Sequence, residues 1–485
     1  MTKLCIGFEV HQPYRLDYTQ NTGNNGSARS AGENYFSEKN RQILERVAEK
    51  CYIPTTRILL EALDEGLKCA FSLSGTAIEQ MERWSPDTLE LFRQVARHKN
   101  TEILAQTYYH SLASLFDDFG EFEQQLKLHA KLMKDEFGVK LAVLENTELI
   151  LNNDIAKLAE RLGYKAVYTE GAERVLGWRS PNYVYSCNGI KLLLRNYRLS
   201  DDIALHFNHR QWDQYPLTAE KYASWIAASP GDYVNVFLGY ETFGEHQGAD
   251  TGIIEFLKWL PGECMNKGVD FTTPSEVADM EPREELSIPD TVSIADSDKD
   301  TSAWLGNPLQ RTAVRAVQLA KPYAKDKRVW RNLQASDNFY YMASRFGPCA
   351  NSHYFYIPKN CQPYLAFCSY MSVLSQYEKS QATKMKRKPA AMVLRTLPPR
   401  EAFHFFSTSA YTGFTAYGLD DFTSLLDFAP ADSIDFHMRN GDFASWIAGV
   451  LGDRDLADAV GKCTSRVELS DAVDRHRTAL RASLQ

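Results

Sequence analysis

Residues 233–246 read YVNVFLGYETFGEH. The first six, 233–238, are a short run dominated by apolar side chains, and they give way at once to a cluster running from Gly239 to His246. A run this short predicts a strand, because a helix needs about ten residues or more. In parallel barrels the chemistry sits at the C-terminal ends of such strands. The same pattern recurs upstream. Residues 4–10 lead into His11-Gln12-Pro13-Tyr14, residues 101–105 into Gln106–His110, and residues 143–144 into Glu145-Asn146-Thr147-Glu148. Further strands are predicted at 68–73, 166–168 and 191–194, with amphipathic helices at 41–51, 55–65, 89–98, 122–137 and 155–162. Strand, helix, strand in alternation implies parallel strands joined by crossover helices. About seven such units before residue 280 predict an incomplete or distorted α/β barrel. Polar clusters at successive strand ends share one face and can meet in one pocket.

Beyond residue 280 the pattern changes. Helices are predicted at 311–321, 328–343 and 364–378, so 281–378 reads as a helical region that helps wall the cleft. Residues 379–400, KSQATKMKRKPAAMVLRTLPPR, are basic and then proline-containing. So short and isolated a charge run reads as a solvated linker and not as a nucleic-acid or lipid patch. Residues 401–485 read as a small, mainly helical domain, with helices at 443–451, 456–463 and 470–484.

The bulk numbers narrow the class. The 25 Tyr, 25 Phe and 8 Trp residues suit either an aromatic core or the stacking of sugar rings. A net charge of −8 argues against binding a nucleic-acid backbone. Nine cysteines without a Cys-x-x-Cys pair fit reduced thiols better than a disulfide set or a zinc knuckle. The start, MTKLCIGFEVHQPY, reaches Glu9 and His11 too early for a signal peptide, and no run approaches the ~18 apolar residues of a membrane span. A cytoplasmic protein without membrane contact is expected, and the oligomeric state is left open.

The order HQPYRL, TYYH, NTELI, YETFGEHQ, SAWLGN resembles the conserved regions of glycoside hydrolase family 57, most closely its α-amylase subgroup. The likeness extends to TEGAERVLGWRSPNYVY, LRNYRLSDDI and LQASDNFYYM, and so covers roughly residues 1–378. It implies a seven-stranded (β/α) barrel over 1–280 followed by a helical region, acting on α-1,4-glucans with retention. It implies no metal and no cofactor. Residues 401–485 resemble a small helical domain attached to archaeal sugar enzymes.

Retention needs two carboxyl groups about 5–5.5 Å apart, one as nucleophile and one as acid/base. By the resemblance, Glu148 of NTELI is the nucleophile. The acid/base Asp that the family carries before YETFGEH is Gly239 here. Glycine has no proton to give, and losing a general acid typically costs ~10²–10⁴ in rate. Other departures agree: Ile294 replaces a Trp, Asp298 a Glu, Lys299 an Arg and Gly248 a Trp. Lysine lacks the bidentate fork of arginine. The binding equipment remains, with His11, His110, Glu241, His246, Trp304 and Asp337 implied as substrate-binding residues. The leading expectation is an α-glucan or maltooligosaccharide binder with impaired or absent hydrolysis, a pseudoenzyme. The alternative is an active retaining hydrolase or transglycosylase that uses Glu148 with another carboxylate, such as Glu241. A third class, deacetylase, requires an Asp and two His on a metal at a characteristic spacing, which the sequence lacks.

Overall fold

The computed structural model describes residues 2–18, 35–344, 356 and 362–484. The chain divides into two compact units: Met1–Arg15, Phe36–Asn307 and Gln334–Lys359 form the first, and Leu16–Tyr35, Pro308–Leu333 and Asn360–Gln485 the second.

The first unit is built on β1 (Lys3–Val10), β2 (Cys69–Leu73), β3 (Thr101–Ile103), β4 (Val143–Glu145), β5 (Ala166–Glu170), β6 (Tyr185–Cys187), β7 (Ile190–Arg195), β8 (Tyr233–Gly239) and β9 (Asp270–Phe271). Parallel ladders join β1 to β2 and to β8, β2 to β3, β4 to β5, and β5 to β7. A parallel bridge, Ala105 to Leu144, carries β3 to β4. Asn196 N–H donates to Asn235 O at 2.8 Å where β7 meets β8. These contacts make a seven-stranded parallel ring, with β6 as an antiparallel flap on β7 and β9 beside the start of β1. All seven strands expected from sequence are present.

Strand parity sorts the side chains. Leu4, Ile6, Phe8 and Val10 of β1 and Val234, Val236 and Leu238 of β8 belong to the large core beneath the helices, while Cys5, Tyr168, Leu193, Tyr233 and Phe237 fill the ring interior. Successive strand residues face opposite sides. The interior column therefore continues upward into Glu9 on β1, Ser72 on β2, Glu145 on β4, Glu170 on β5, Arg195 on β7 and Gly239 on β8, so it turns polar at the C-terminal rim. Gly7 is required lower down, because a Cβ there would lie 2.7 Å from the Phe237 ring, which packs on Tyr168 at 5.1 Å.

The crossover helices begin at side-chain caps. Ser74 accepts from Ala77 N–H, Asn152 from Asp154 and Ile155 N–H, and Thr218 from Lys221 N–H, each satisfying a donor left free at a helix start. The two helices expected at 41–51 and 55–65 are one continuous rod. Helix Lys39–Val47 passes through a π-helical turn, Ala48–Tyr52, into helix Ile53–Asp64. Pro54 falls in the first turn after the π turn, where its missing N–H costs little. The π turn aims both Cys51 and Tyr52 at the segment after β8, with Cys51 Sγ 3.1 Å from Tyr240 O.

The second unit is mainly helical and has its own core, formed among others by Leu397, Phe405, Phe422, Ile447 and Leu469. It also holds an antiparallel hairpin, Phe403–Phe406 with Tyr411–Ala416, whose first strand alternates buried and exposed residues. Within 379–400, read above as a linker, Lys388–Leu394 is a helix that buries Ala390, Ala391, Val393 and Leu394. Among the described residues, no helix is long and apolar enough to cross a membrane.

Candidate active site

A cleft opens at the C-terminal rim of the ring. Glu9, His11, His110, Glu148, Gly239 and Glu241 line it, together with His246, Ile294, Asp337 and Tyr356. These residues come from the ends of β1, β3, β4 and β8 and from two later segments, so sites far apart in sequence converge as the shared rim requires.

Glu148 sits just past β4 and is 6% exposed. Its backbone is left-handed, φ 59° and ψ 24°, as are those of Leu149 at φ 54° and His110 at φ 48°. Such conformations cost a residue other than glycine about 1–3 kcal/mol, and surrounding bonds must hold them. Here Ile294 N–H donates to Glu148 O at 2.8 Å and Leu149 N–H to Asn146 O at 2.8 Å. Asn146 Nδ2 donates to Ile150 O at 2.7 Å, and Thr147 Oγ1 meets Thr107 Oγ1 at 2.6 Å. The tight turn swings the Glu148 carboxyl over the ring. Ser336 Oγ donates to its Oε1 at 2.8 Å, and His110 Nε2 lies 3.6 Å from the same oxygen.

The two histidines stack with ring centres 4.2 Å apart. Close imidazoles resist being charged together, and their neighbours decide which holds the proton. Burial works against a charged His110, yet Glu9, Glu148 and Asp337 outweigh it and raise the ring to about 9. Burial, then the charge of His110, push His11 down to about 4, with Asp337 only partly restoring it. His11 is fixed by Ser74 Oγ at 2.8 Å from Nδ1 and Asp337 Oδ2 at 3.0 Å from Nε2. An imidazolium at 110 thus faces carboxylates while a neutral imidazole at 11 stands behind it.

Glu241, 6% exposed, follows β8. Tyr52 Oη donates to its Oε1, and Gln12 Nε2 lies 3.4 Å from the same atom. Burial raises its carboxyl to about 7 against these donors. Gly239 ends β8 in ordinary extended geometry, φ −61° and ψ 131°. Among the described residues, a Cβ built there would meet Glu241 Oε2, at 3.7 Å, and no other heavy atom within 4 Å. An empty position therefore stands beside Glu241 where a short carboxylate would fit.

The ring floor is charged. Arg195, 2% exposed, reaches Glu170 Oε2 at 3.0 Å and Asp201 Oδ1 at 2.6 Å, and Lys299 Nζ lies 3.5 Å from Glu170. Asp201 is thereby engaged with Arg195, and Asp202 with His206 at 3.2 Å. Among the described residues, no group of three or more His, Cys, Asp or Glu side chains is placed to hold a metal.

Of the residues singled out from sequence, Glu148, Gly239, His11, His110, Glu241, His246 and Asp337 converge here. His246 Nε2 meets Tyr356 Oη at 3.4 Å. Trp304 does not converge: it is fully buried in helix Ser302–Leu305, which packs on helix Ser336–Tyr340, and offers no face to the cleft. It is not among the residues that line the cleft, although the sequence implied it as a substrate-binding residue. Sequence reading missed Tyr52, Ser336, Glu9 and Tyr356. Ser336 lies in the LQASDNFYYM stretch and Glu9 two residues before His11, so parity and adjacency could have found them. Tyr52, inside a helix, carried no such signal.

The chain matches the family profile described as glycosyl hydrolase family 57 over residues 5–290. It is 42% identical over 396 residues, 77% of this chain and 84% of the relative, to a Methanocaldococcus jannaschii protein that bears the name "Putative alpha-amylase". Its fold is similar to a family 57-type branching enzyme from Pyrococcus horikoshii, with TM-score 0.54, 15% identity and coverage of 80% of this chain and 92% of that one. It is also similar to a 4-α-glucanotransferase from Thermococcus litoralis, with TM-score 0.50, 17% identity and coverage of 79% and 59%. The ring topology, the convergence of the strand ends and these matches together make the chain an α-amylase-like member of glycosyl hydrolase family 57.

Proposed function

We propose that this protein binds α-1,4-glucan in the rim cleft and hydrolyses it poorly, because the proton-donor position is Gly239. The observation that carries this reading is the empty position beside Glu241, open to a side chain yet filled by none. The rest of the site supports sugar binding. His11, His110, Glu241, His246 and Asp337 supply polar groups to a cleft with the Tyr356 ring in its wall, and ligand sites combine such groups with aromatic surface. Glu148 remains as the nucleophile, tuned by Ser336 and the His110 imidazolium.

The test combines binding and turnover. Calorimetric titration with maltoheptaose is expected to show binding, and amylose hydrolysis is expected to run at least tenfold below that of a family member with the Asp. An activated substrate such as α-maltosyl fluoride, whose leaving group needs no proton, should react with Glu148 and give a glycosyl-enzyme visible by mass. Amylose cleavage at ordinary enzyme rates, or no binding of maltoheptaose, overturns the reading.

A further inference from the structure

Besides Glu148, the carboxyl groups of Glu9, Asp201, Glu241 and Asp337 border the cleft, and those of Glu145 and Glu170 lie beneath it, with Asp201 and Glu170 both paired to Arg195. We propose that Glu9, at the end of β1, supplies the proton for the turnover that this site retains, in place of the side chain missing at 239. This rests on the reading of Gly239 as the vacated donor position.

The ladder between β1 and β8 pairs Glu9 directly with Gly239. Register partners in parallel strands point to the same side, and neighbouring strands lie about 4.8 Å apart. Glu9 therefore rises from the position adjacent to the vacancy, and a glutamate reaches one methylene further than an aspartate. His110 stands between Glu9 and the nucleophile, with Nδ1 3.2 Å from Glu9 Oε1 and Nε2 3.6 Å from Glu148 Oε1. One imidazole thus touches both carboxyls.

Glu241, Asp337 and Glu145 each have an oxygen held by a neighbour. Glu241 Oε1 is tied to Tyr52 and Gln12. Asp337 is bonded to His11, and Glu145 lies below the rim, fully buried and bonded to Ser72 Oγ at 2.8 Å. Glu9 Oε1 is buried, with His110 Nδ1 3.2 Å away. Burial drives the Glu9 carboxyl well above its ordinary range; His110 opposes this, while Glu145, Glu148 and Glu241 reinforce it.

Glu148 attacks the anomeric carbon, the glycosidic C–O bond breaks, and the leaving oxygen takes the Glu9 proton. Water then attacks the same carbon and gives its proton to the Glu9 carboxylate, and the ester bond to Glu148 breaks. A donor arising one strand away is displaced from the ideal position, and displacements near 1 Å can cost ~10²-fold, so hydrolysis is slow but not absent.

The experiment compares E9Q, E241Q and wild type on maltoheptaose and on α-maltosyl fluoride. The loss caused by E9Q should be at least tenfold greater on maltoheptaose than on the fluoride, and E241Q should show no such selectivity. Adding G239D to E9Q should restore maltoheptaose cleavage, which also demonstrates an intact fold. An unselective E9Q loss, selectivity in E241Q instead, or no maltoheptaose cleavage by wild type overturns the proposal. The two readings fail separately: fast amylose cleavage that still depends on Glu9 removes the impairment and keeps the donor, whereas slow cleavage indifferent to E9Q does the reverse.

Discussion

The two flanks of the cleft differ in completeness. On the β4 side, Glu148 is clamped by strained backbone, by Ser336 and by an imidazolium. On the β8 side, Glu241 keeps its Tyr52 and Gln12 contacts and His246 its Tyr356 contact, but Gly239 leaves a gap between them. One flank carries a clamped carboxyl, while the other keeps polar side chains around a glycine. The difference teaches that the carboxyl at 148 depends on contacts from several segments, whereas the lack of one at 239 depends on a single residue's identity.

Four changes break or sharpen that contrast. Glu148→Gln should have the largest effect, because it removes the reactive flank: no glycosyl-enzyme should form with the activated fluoride, as read by intact-protein mass, while maltoheptaose still binds. Gly239→Asp should complete the poorer flank and raise amylose hydrolysis at least tenfold, measured as reducing ends released. The backbone at 239 accepts an aspartate, and the neighbouring Glu241 would help hold its proton. Ser336→Ala removes a hydrogen bond to a charged oxygen, worth about 1.5–3 kcal/mol, and should slow formation of the fluoride-derived adduct roughly tenfold or more without changing maltoheptaose affinity.

The smallest effect is on stability. Burial raises Glu145 to about 8, with the bond from Ser72 pulling against it. A carboxyl whose pKa is raised on folding keeps its proton after the unfolded chain has lost its own. Stability therefore falls as pH rises from about 4.5 toward 8. Glu145→Gln removes that contribution, so its melting temperature should match wild type at acid pH and exceed it by a few degrees near pH 8. Equal melting curves across this window would show that Glu145 is ionised without penalty.

Much of the site was legible because barrel chemistry follows each strand directly in sequence. His11, His110, Glu148, Gly239 and Glu241 all lie within a few residues of a strand end. Tyr52 and Ser336 were not legible, since each comes from a helical segment whose approach to the rim depends on packing. For Trp304 the sequence could not separate a sugar contact from a packing residue, because burial is not a local property; it is fully buried beside the helix that carries Asp337.

The sequence by itself determined the strand order, the family, and the absence of a carboxyl at 239, because these are matters of residue identity and alternation along the chain. Only the tertiary structure decided that Glu9 stands in register with Gly239, that His110 lies between two carboxyls, and that His110 rather than His11 holds a proton. The physical reason is that register, burial and the distances between charges arise when remote segments close into a ring, and no local stretch of sequence contains them.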